Sequence, residues 1–263
     1  MTDLFSGTTV LITGASSGIG SAFADQLATS GARLILTARN PERLAAVALR
    51  AREAGASVDT VRLDLTSPGA VPALLRDFEA RNVTVDHLVN NAGIGVAGRG
   101  TDVAVEDQLR VVDLNVRAAV ELALRLLPGM VARGRGGVLN VASTAAFQGL
   151  PWLSVYGGSK AFVLGWSEAL HVELRGTGVR CCCLCPGPVA TAWFATARMG
   201  TPMGAITQTA PDVARAGLRG YARDKSHVIS GPLSRTGAWL TRAVPRAVAA
   251  RIATGFARPR GSR

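Results

Sequence analysis

An α/β fold, with a seven-stranded parallel sheet covered on both faces by helices, is what this sequence predicts. Three features carry the reading. Short β-rich runs alternate with longer stretches of helical pattern along the chain. A glycine-rich loop joins the first strand to the first helix. No internal repeat or low-complexity linker divides the 263 residues, a length that suits one α/β domain spanning 1–263.

Taken in order, strands are expected at 9–13, 34–37, 58–63, 87–90, 138–142, 179–184 and 227–230. The first helix is expected at 18–29. Asn40 is a good N-cap before Pro41 at the first helical position, and Gly55 lies where that second helix should stop. Further helices are expected at 68–80, at 105–133 with a break near Asp113, at 156–174 and at 211–223. Between the last two lies 192–209, with Trp193, Phe194, Met199, Pro202 and Met203 in weak periodicity, a candidate substrate lid. In the variable C-terminal segment 238–256, Leu240, Val244, Val248 and Ile252 recur four apart, with Arg242, Arg246 and Arg251 elsewhere on the helix and Pro245 interrupting it. That stripe is expected to pack on its own domain or on a neighbouring subunit rather than on a membrane surface.

Hydrophobic residues make up 48% of the chain, yet no run of 18 or more is apolar, and Met1 to Thr8 lacks the pattern of a secretion signal. A soluble, cytoplasmic protein is expected. The formal charge of +11 comes mostly from dispersed arginines, with a modest excess at Arg258, Arg260 and Arg263 and no nucleic-acid recognition motif. A basic surface with attraction for phosphorylated cofactors accounts for it. The four cysteines, Cys181, Cys182, Cys183 and Cys185, fit neither a disulfide framework nor a zinc pattern, and read as small buried hydrophobes in a strand. No metal is expected.

The loop Thr13-Gly14-Ala15-Ser16-Ser17-Gly18-Ile19-Gly20 sits where a dinucleotide site needs it. Gly14 permits a tight turn, Gly18 lets backbone approach the phosphates, and Gly20 allows close helix packing. With Ser16, Ser17 and Ile19 these form the expected phosphate-binding set, the helix N-terminus facing the pyrophosphate. A glycine pattern alone also fits a plain turn. About twenty residues on, where an NAD site presents a carboxylate to the adenosine ribose, the chain reads Thr37-Ala38-Arg39. A guanidinium there suits the 2′-phosphate of NADP, although a surface arginine at a strand end is the duller alternative.

Tyr156-Gly157-Gly158-Ser159-Lys160 places a phenol and an ammonium four apart, on one helix face. A neighbouring positive charge would favour phenolate and make a group of reference pKa near 10 useful in catalysis. Taken alone, the pair fits a structural role as well.

The glycine loop, Asn90-Asn91-Ala92-Gly93, Asn115, Ser143, the Tyr156 to Lys160 motif and Pro186-Gly187-Pro188-Val189-Ala190-Thr191 together resemble the short-chain dehydrogenase/reductase family in order and spacing. The finer likeness is to the branch with bacterial reductases of unassigned substrate, 17-beta-hydroxysteroid dehydrogenases and 3-ketoacyl-CoA reductases. That resemblance implies a Rossmann-type, doubly wound fold, an NADP(H) cofactor and a homodimer or homotetramer. It implies that Asp64 and Leu65 contact the adenine, that Asn91, Ala92 and Gly93 line the adenosine side, and that Pro186, Gly187, Val189 and Thr191 hold the nicotinamide amide. Lys160 would grip the nicotinamide ribose. Ser143 and Tyr156 would bind the carbonyl oxygen, with Tyr156 as general acid or base, and Asn115 would hold a water joining Lys160 to solvent. Glycines at 157 and 158, and Ala118 where the family often has glycine, are small departures that remove no functional group.

Around the substrate the sequence offers Ala145, Phe147, Leu150, Trp152, Trp193, Phe194, Met199 and Met203, an apolar set that fits a hydrophobic ketone or secondary alcohol. Core packing is the competing use of the same side chains. Three classes of function follow: an NADP-dependent reductase, a lyase or epimerase on the same cofactor fold, and a non-enzymatic NADP-binding protein. The intact Ser143, Tyr156 and Lys160 favour the first two.

Overall fold

The computed structural model describes residues 2–197, 199, 207–241 and 244–257. Pro202, Met203, Arg242, Arg258, Arg260 and Arg263 lie outside the described residues.

A single turn, α1 (Thr2–Phe5), precedes β1 (Thr9–Thr13), whose Val10, Leu11 and Ile12 are fully buried because helices cover both faces. Chain order then gives α2 (Gly18–Leu27), β2 (Arg33–Ala38), α3 (Pro41–Glu53), β3 (Ser57–Arg62), α4 (Ala70–Ala80) and β4 (His87–Asn90). Asn40 caps α3 as its sequence promised, its side chain accepting from the Arg43 amide at 2.7 Å. The long helix expected at 105–133 is α5 (Val105–Val112), a π-helical stretch at Asp113–Ala118, and α6 (Ala119–Arg133). The break near Asp113 is therefore a widened turn rather than an interruption, and it carries Asn115.

Beyond it come β5 (Gly136–Val141), a 3-10 turn at Thr144–Phe147, α7 (Ser154–Glu173), β6 (Val179–Cys185), α8 (Trp193–Thr196), α9 (Ala210–Ala222), β7 (His227–Ile229), α10 (Pro232–Leu240) and α11 (Arg246–Ala257). All seven strands pair in parallel in the order β3-β2-β1-β4-β5-β6-β7. The order reverses between β1 and β4, where helices diverge to opposite faces and leave a crevice at the carboxyl ends of the strands. The sheet divides the core into two main layers, one centred on Phe23, Leu34, Leu36 and Leu218, the other on Leu88, Leu122, Met130 and Val138.

Cysteines alternate across β6 as period two requires. Cys182 joins the first layer, while Cys181, Cys183 and Cys185 face the other side, and all four are buried free thiols. Burial pushes the Cys181 thiol upward, so it packs as an apolar group.

The C-terminal segment packs on its own domain, but through other side chains than the four-apart stripe. It forms two helices broken before Pro245, and it is alanine, not the large apolar stripe, that faces the domain: Ala238, Ala249 and Ala253 are buried, while Leu240, Val244, Val248 and Ile252 are exposed. Small side chains let the helices lie close to the 3-10 turn and the segment after it, with Ala250 against Gly149. The large side chains are thereby turned outward.

Candidate active site

At the carboxyl end of β1 the chain turns through Gly14, at φ 65°, into a loop that reaches α2 through Gly18, at φ 57°. These backbone angles suit glycine. A Cβ on Gly20 would collide with the Gly14 carbonyl and the Asn91 side chain, so this glycine is required for the loop to close on the helix. Ser17 occupies the N-cap position with no side-chain cap bond. The first amides of α2 are thus left for an external acceptor, which is the chemistry of an anion cradle.

Thr13, which sequence reasoning passed over, ties this loop to the β4 terminus. Its hydroxyl accepts from the amides of Asn91 and Ala92, each at 3.0 Å, and donates to the Val89 carbonyl at 3.3 Å. Asn91 replies with a bond from Nδ2 to the Thr13 carbonyl at 2.9 Å. Gly18 also packs beside Thr191, a Cβ there lying 3.1 Å from the Thr191 methyl, so the loop after β6 joins the cradle. Val189 bridges to Gln208, and Gln208 exchanges backbone bonds with Pro188 and Ala190, pinning the two ends of the candidate lid together.

At the β2 end, Arg39 lies 3.9 Å from Asp64 Oδ2, and Arg110 of α5 donates to the same oxygen at 2.9 Å. Asp64 Oδ1 accepts from the Thr66 amide and hydroxyl at 3.0 and 2.7 Å. Partial burial alone would raise the Asp64 pKa. The Thr66 bonds and the Arg110 and Arg39 charges outweigh it and hold the carboxyl below its usual range. Leu65 beside it is buried. Arg110 sits 46 residues from Asp64, and no local spacing reveals their pairing.

The second cluster is built by the π-helical turn, β5 and α7. Asn115 spends both amide hydrogens, on the Ile94 carbonyl at 2.9 Å and Ser159 Oγ at 3.0 Å, and its Oδ1 accepts from the Ile94 amide at 2.9 Å. Ser159, one turn beyond Tyr156, donates in turn to the Tyr156 carbonyl at 2.7 Å. Its place in the Tyr-to-Lys motif, three residues on, was the available signal. Lys160 is buried and donates to the Val141 carbonyl at 2.8 Å. A Cβ built on Gly93 would stand 3.2 Å from both Asn115 Oδ1 and Lys160 Nζ, so the two polar atoms flank one glycine.

A further buried chain supports these elements from below. Asn90 Nδ2 donates to Asn140 Oδ1 at 3.0 Å and to the Ala119 carbonyl at 2.9 Å, Asn140 donates to Ser167 at 2.9 Å, and Ser167 donates to the Val163 carbonyl at 2.6 Å. Fully paired polar groups of this kind fix α6, β4, β5 and α7 in one arrangement.

Electrostatics at the phenol differ from the sequence expectation. Burial pushes the Tyr156 pKa up to about 12, with only the Ser143 hydroxyl pulling it down. Burial also pulls Lys160 down to about 8. Lys160 Nζ is 5.9 Å from the phenol ring centre and is bonded to a carbonyl, so its charge does not make a phenolate here. Ser143 Oγ accepts from the Ala145 amide at 3.1 Å, which aims it across the start of the 3-10 turn.

Of the apolar substrate candidates, Trp193 lies tilted against Tyr156 with ring centres 4.8 Å apart, Phe194 meets Trp193 edge-on at 5.2 Å, and Leu150, Trp152 and Met199 join Tyr156 in one cluster. Ala145 is buried beside Ser143. Phe147 packs against the buried cluster of Ala142, Ala146, Val163 and Leu164, with the His227 ring at 6.3 Å. Gly157 allows Leu150 to approach, whereas Gly158 opens on a cavity of about 360 Å³ lined by Ala146, Leu150, Arg246 and Ala250. Pro186 and Gly187 lie between the Thr144 amide, which donates to the Pro186 carbonyl at 2.8 Å, and Ser234 with Gln208. Among the described residues no cluster of three or more His, Cys, Asp or Glu could hold a metal.

This fold and these two clusters define a class, dinucleotide-dependent oxidoreductases of the doubly wound type. The short chain dehydrogenase family model matches residues 8–201. The chain belongs to that family. A ketoacyl reductase, HetN, of Nostoc sp. is 34% identical over 85% of this chain and 78% of its own length. An NADP-dependent 3-hydroxy acid dehydrogenase, YdfG, of Salmonella typhi is 36% identical over 72% of this chain and 75% of its own length. Among solved structures, a short-chain dehydrogenase from Sphingobium yanoikuyae in complex with NADPH is 31% identical, covers 97% of this chain and 98% of its own, and superposes with a TM-score of 0.81.

Proposed function

We propose that this protein reduces a hydrophobic ketone, or oxidises the matching secondary alcohol, with NADP(H). The observation that carries the proposal is the half-buried Tyr156, set beside Ser143 and Trp193 within an apolar cluster, with Lys160 one turn on in the same helix. The NADPH-bound neighbour and the NADP-dependent relative support the choice of cofactor.

The residues suit that cofactor. Amides of Ser16, Ser17, Gly18, Ile19 and Gly20 at the uncapped α2 terminus would take the pyrophosphate, and Arg39 the 2′-phosphate. Asp64 and Leu65 would receive the adenine, Asn91, Ala92 and Gly93 the adenosine side, and Pro186, Gly187, Val189 and Thr191 the carboxamide. The nicotinamide supplies the hydride.

In reduction, Ser143 and Tyr156 donate hydrogen bonds to the substrate carbonyl oxygen and stabilise negative charge as it develops there. A phenol near pKa 12 is fully protonated at neutral pH, so Tyr156 is ready to give its proton to the alkoxide. Lys160, next to Gly93, would grip the nicotinamide ribose and, in its charged form, supply the proton that is relayed to Tyr156. Asn115 Oδ1 keeps a second lone pair facing the same glycine as Lys160 Nζ, which suits a bridging water to solvent. Trp193, Phe194 and Trp152 form the walls that admit an apolar ketone and exclude water.

The reading extends to assembly. Leu109, Leu124 and Phe162, exposed on α5, α6 and α7, suit contact with a second copy of the chain. Steady oxidation of NADPH on adding ketones, with alcohol formed in equal amount, tests the proposal. Turnover with cofactor recycled and none consumed would instead favour a lyase or epimerase.

A further inference from the structure

The α10–α11 region combines two features that the active site does not use. The first is charge. From Lys225 to Arg263 the sequence holds eight of the 29 Lys and Arg residues and none of the 18 acids, so this short stretch carries most of the net charge of +11. Arg235, Arg246 and Arg251, the basic residues of α10 and α11, are all exposed.

The second is inverted packing. Ala238, Ala249 and Ala253 are buried, and the large apolar side chains face out: Trp239 is 71% exposed, Ile252 60%, and Leu233, Leu240, Val244 and Val248 are exposed as well. On α10, Leu233 and Leu240 are seven apart, and on α11, Val248 and Ile252 are four apart, so each helix presents one apolar face. A helix that kept these side chains from water by folding alone would have turned them inward. Trp and Leu on an exposed face, flanked by arginines, match the composition of helices that lie in a membrane interface.

We propose that α10 and α11 dock this protein on an anionic lipid surface, with Trp239, Leu240, Val248 and Ile252 entering the headgroup region and Arg235 and Arg251 meeting lipid phosphates. Charge decides between this occupant and a second copy of the chain. A two-fold contact would set the same arginine-bearing helices, which carry no acid of their own, against each other, and like charges across an interface are repulsive. An anionic bilayer complements both the charge and the apolar side chains, whereas a nucleic-acid duplex would leave the exposed Trp239 and Ile252 in water. No helix among the described residues is long and apolar enough to cross a membrane, so the contact is peripheral.

The helix that carries this face adjoins the proposed substrate cleft: Ala250, on the domain side of α11, covers Gly149, and Leu150 beyond it packs with Trp152 and Tyr156. A bilayer held there would bring a hydrophobic ketone to the mouth of the site. Only this delivery role rests on the proposed reductase activity.

Cosedimentation of the full chain with vesicles is the test, read together with tryptophan fluorescence and requiring no turnover. Vesicles of phosphatidylcholine mixed with phosphatidylglycerol should bind the protein about tenfold or more better than phosphatidylcholine alone, and added salt should weaken the binding. Trp239→Ser with Leu240→Ser should reduce binding about tenfold, and so should Arg235→Gln with Arg251→Gln, exposed positions that leave the core untouched. Unchanged thermal unfolding confirms that the variants are folded. No binding to anionic vesicles, equal binding to both vesicle types, or binding indifferent to the Trp239 variant overturns the proposal. So does a chain whose dimer dissociates on Trp239→Ser, because the face is then a self-interface, or tighter retention on duplex DNA than on the anionic vesicles.

Discussion

Trp193 lies against Tyr156, ring centres 4.8 Å apart and planes tilted by 46°, and its indole edge also presses on Gly95. The first residue of α8 thus lies over the phenol ring from the side of the loop after β6. Trp193→Ala should remove a wall of the cleft and a ring contact of about 0.5–1.5 kcal/mol. Small ketones should lose several-fold in kcat/KM while bulky ones lose less or gain, and a substrate series of increasing size measures it. An unaltered size preference would remove Trp193 from the substrate pocket.

Arg39 and Arg110 share Asp64 Oδ2, the first at 3.9 Å and the second at 2.9 Å. With Arg110 neutralising the carboxylate, Arg39 is left to a phosphate. Arg39→Ala should weaken NADPH binding about tenfold or more, the scale of a charge-assisted bond of about 1.5–3 kcal/mol, with little effect on NADH. Arg110→Ala should weaken NADPH binding more than NADH by exposing the phosphate to Asp64, and Asp64→Asn should relieve that defect. Equilibrium titration of nicotinamide fluorescence distinguishes these outcomes from equal losses for both cofactors.

Lys160 near 8 and Tyr156 near 12 set the pH profile. Below pH 8 Lys160 is charged and Tyr156 is protonated. As pH rises through about 8, Lys160 loses its proton while the phenol keeps its own. Ketone reduction, followed as kcat/KM, should therefore be level at neutral pH and decline above about 8, and Lys160→Met should abolish most activity. A reduction rate that climbs through this range would contradict the assignment.

His87 supplies a test of stability rather than catalysis. It is buried between Phe5 and Tyr221, its Nδ1 2.7 Å from the Tyr221 hydroxyl, and burial lowers its pKa to about 4 against the pull of Asp86. The neutral ring is favoured in the folded state, so its contribution is complete above the ordinary value of 6.5 and is lost as pH falls from there toward 4. The loss amounts to about 3 kcal/mol at most. Denaturant midpoints should drop across that window in the wild type, and the drop should shrink in His87→Phe.

Much of the sheet was legible in the sequence because its strands are short apolar runs with glycine and proline at their ends, as in Val10-Leu11-Ile12 before Gly14. The Asn40 cap was legible for a similarly local reason, and a break was expected near Asp113, where the chain instead widens into a π-helical turn. What local pattern cannot show is pairing across distance. Arg110 reaches Asp64, and Ser159 reaches Asn115, only once α5, the π-helical turn and α7 are packed. Burial overturned the charge argument for Tyr156, since spacing on one helix face does not reveal that Lys160 points to the Val141 carbonyl. Four-apart spacing likewise gave the α11 stripe its helical face without saying which side the domain covers, and alanine won that side.

The central claim is that the Tyr156 proton completes ketone reduction, and Tyr156→Phe tests it most directly. Single-turnover oxidation of bound NADPH by a hydrophobic ketone should fall by about 10²–10⁴-fold in this variant, the range for loss of a general acid, while NADPH binding changes little. Turnover within a few-fold of the wild type, with the cofactor equally well bound, would contradict the account.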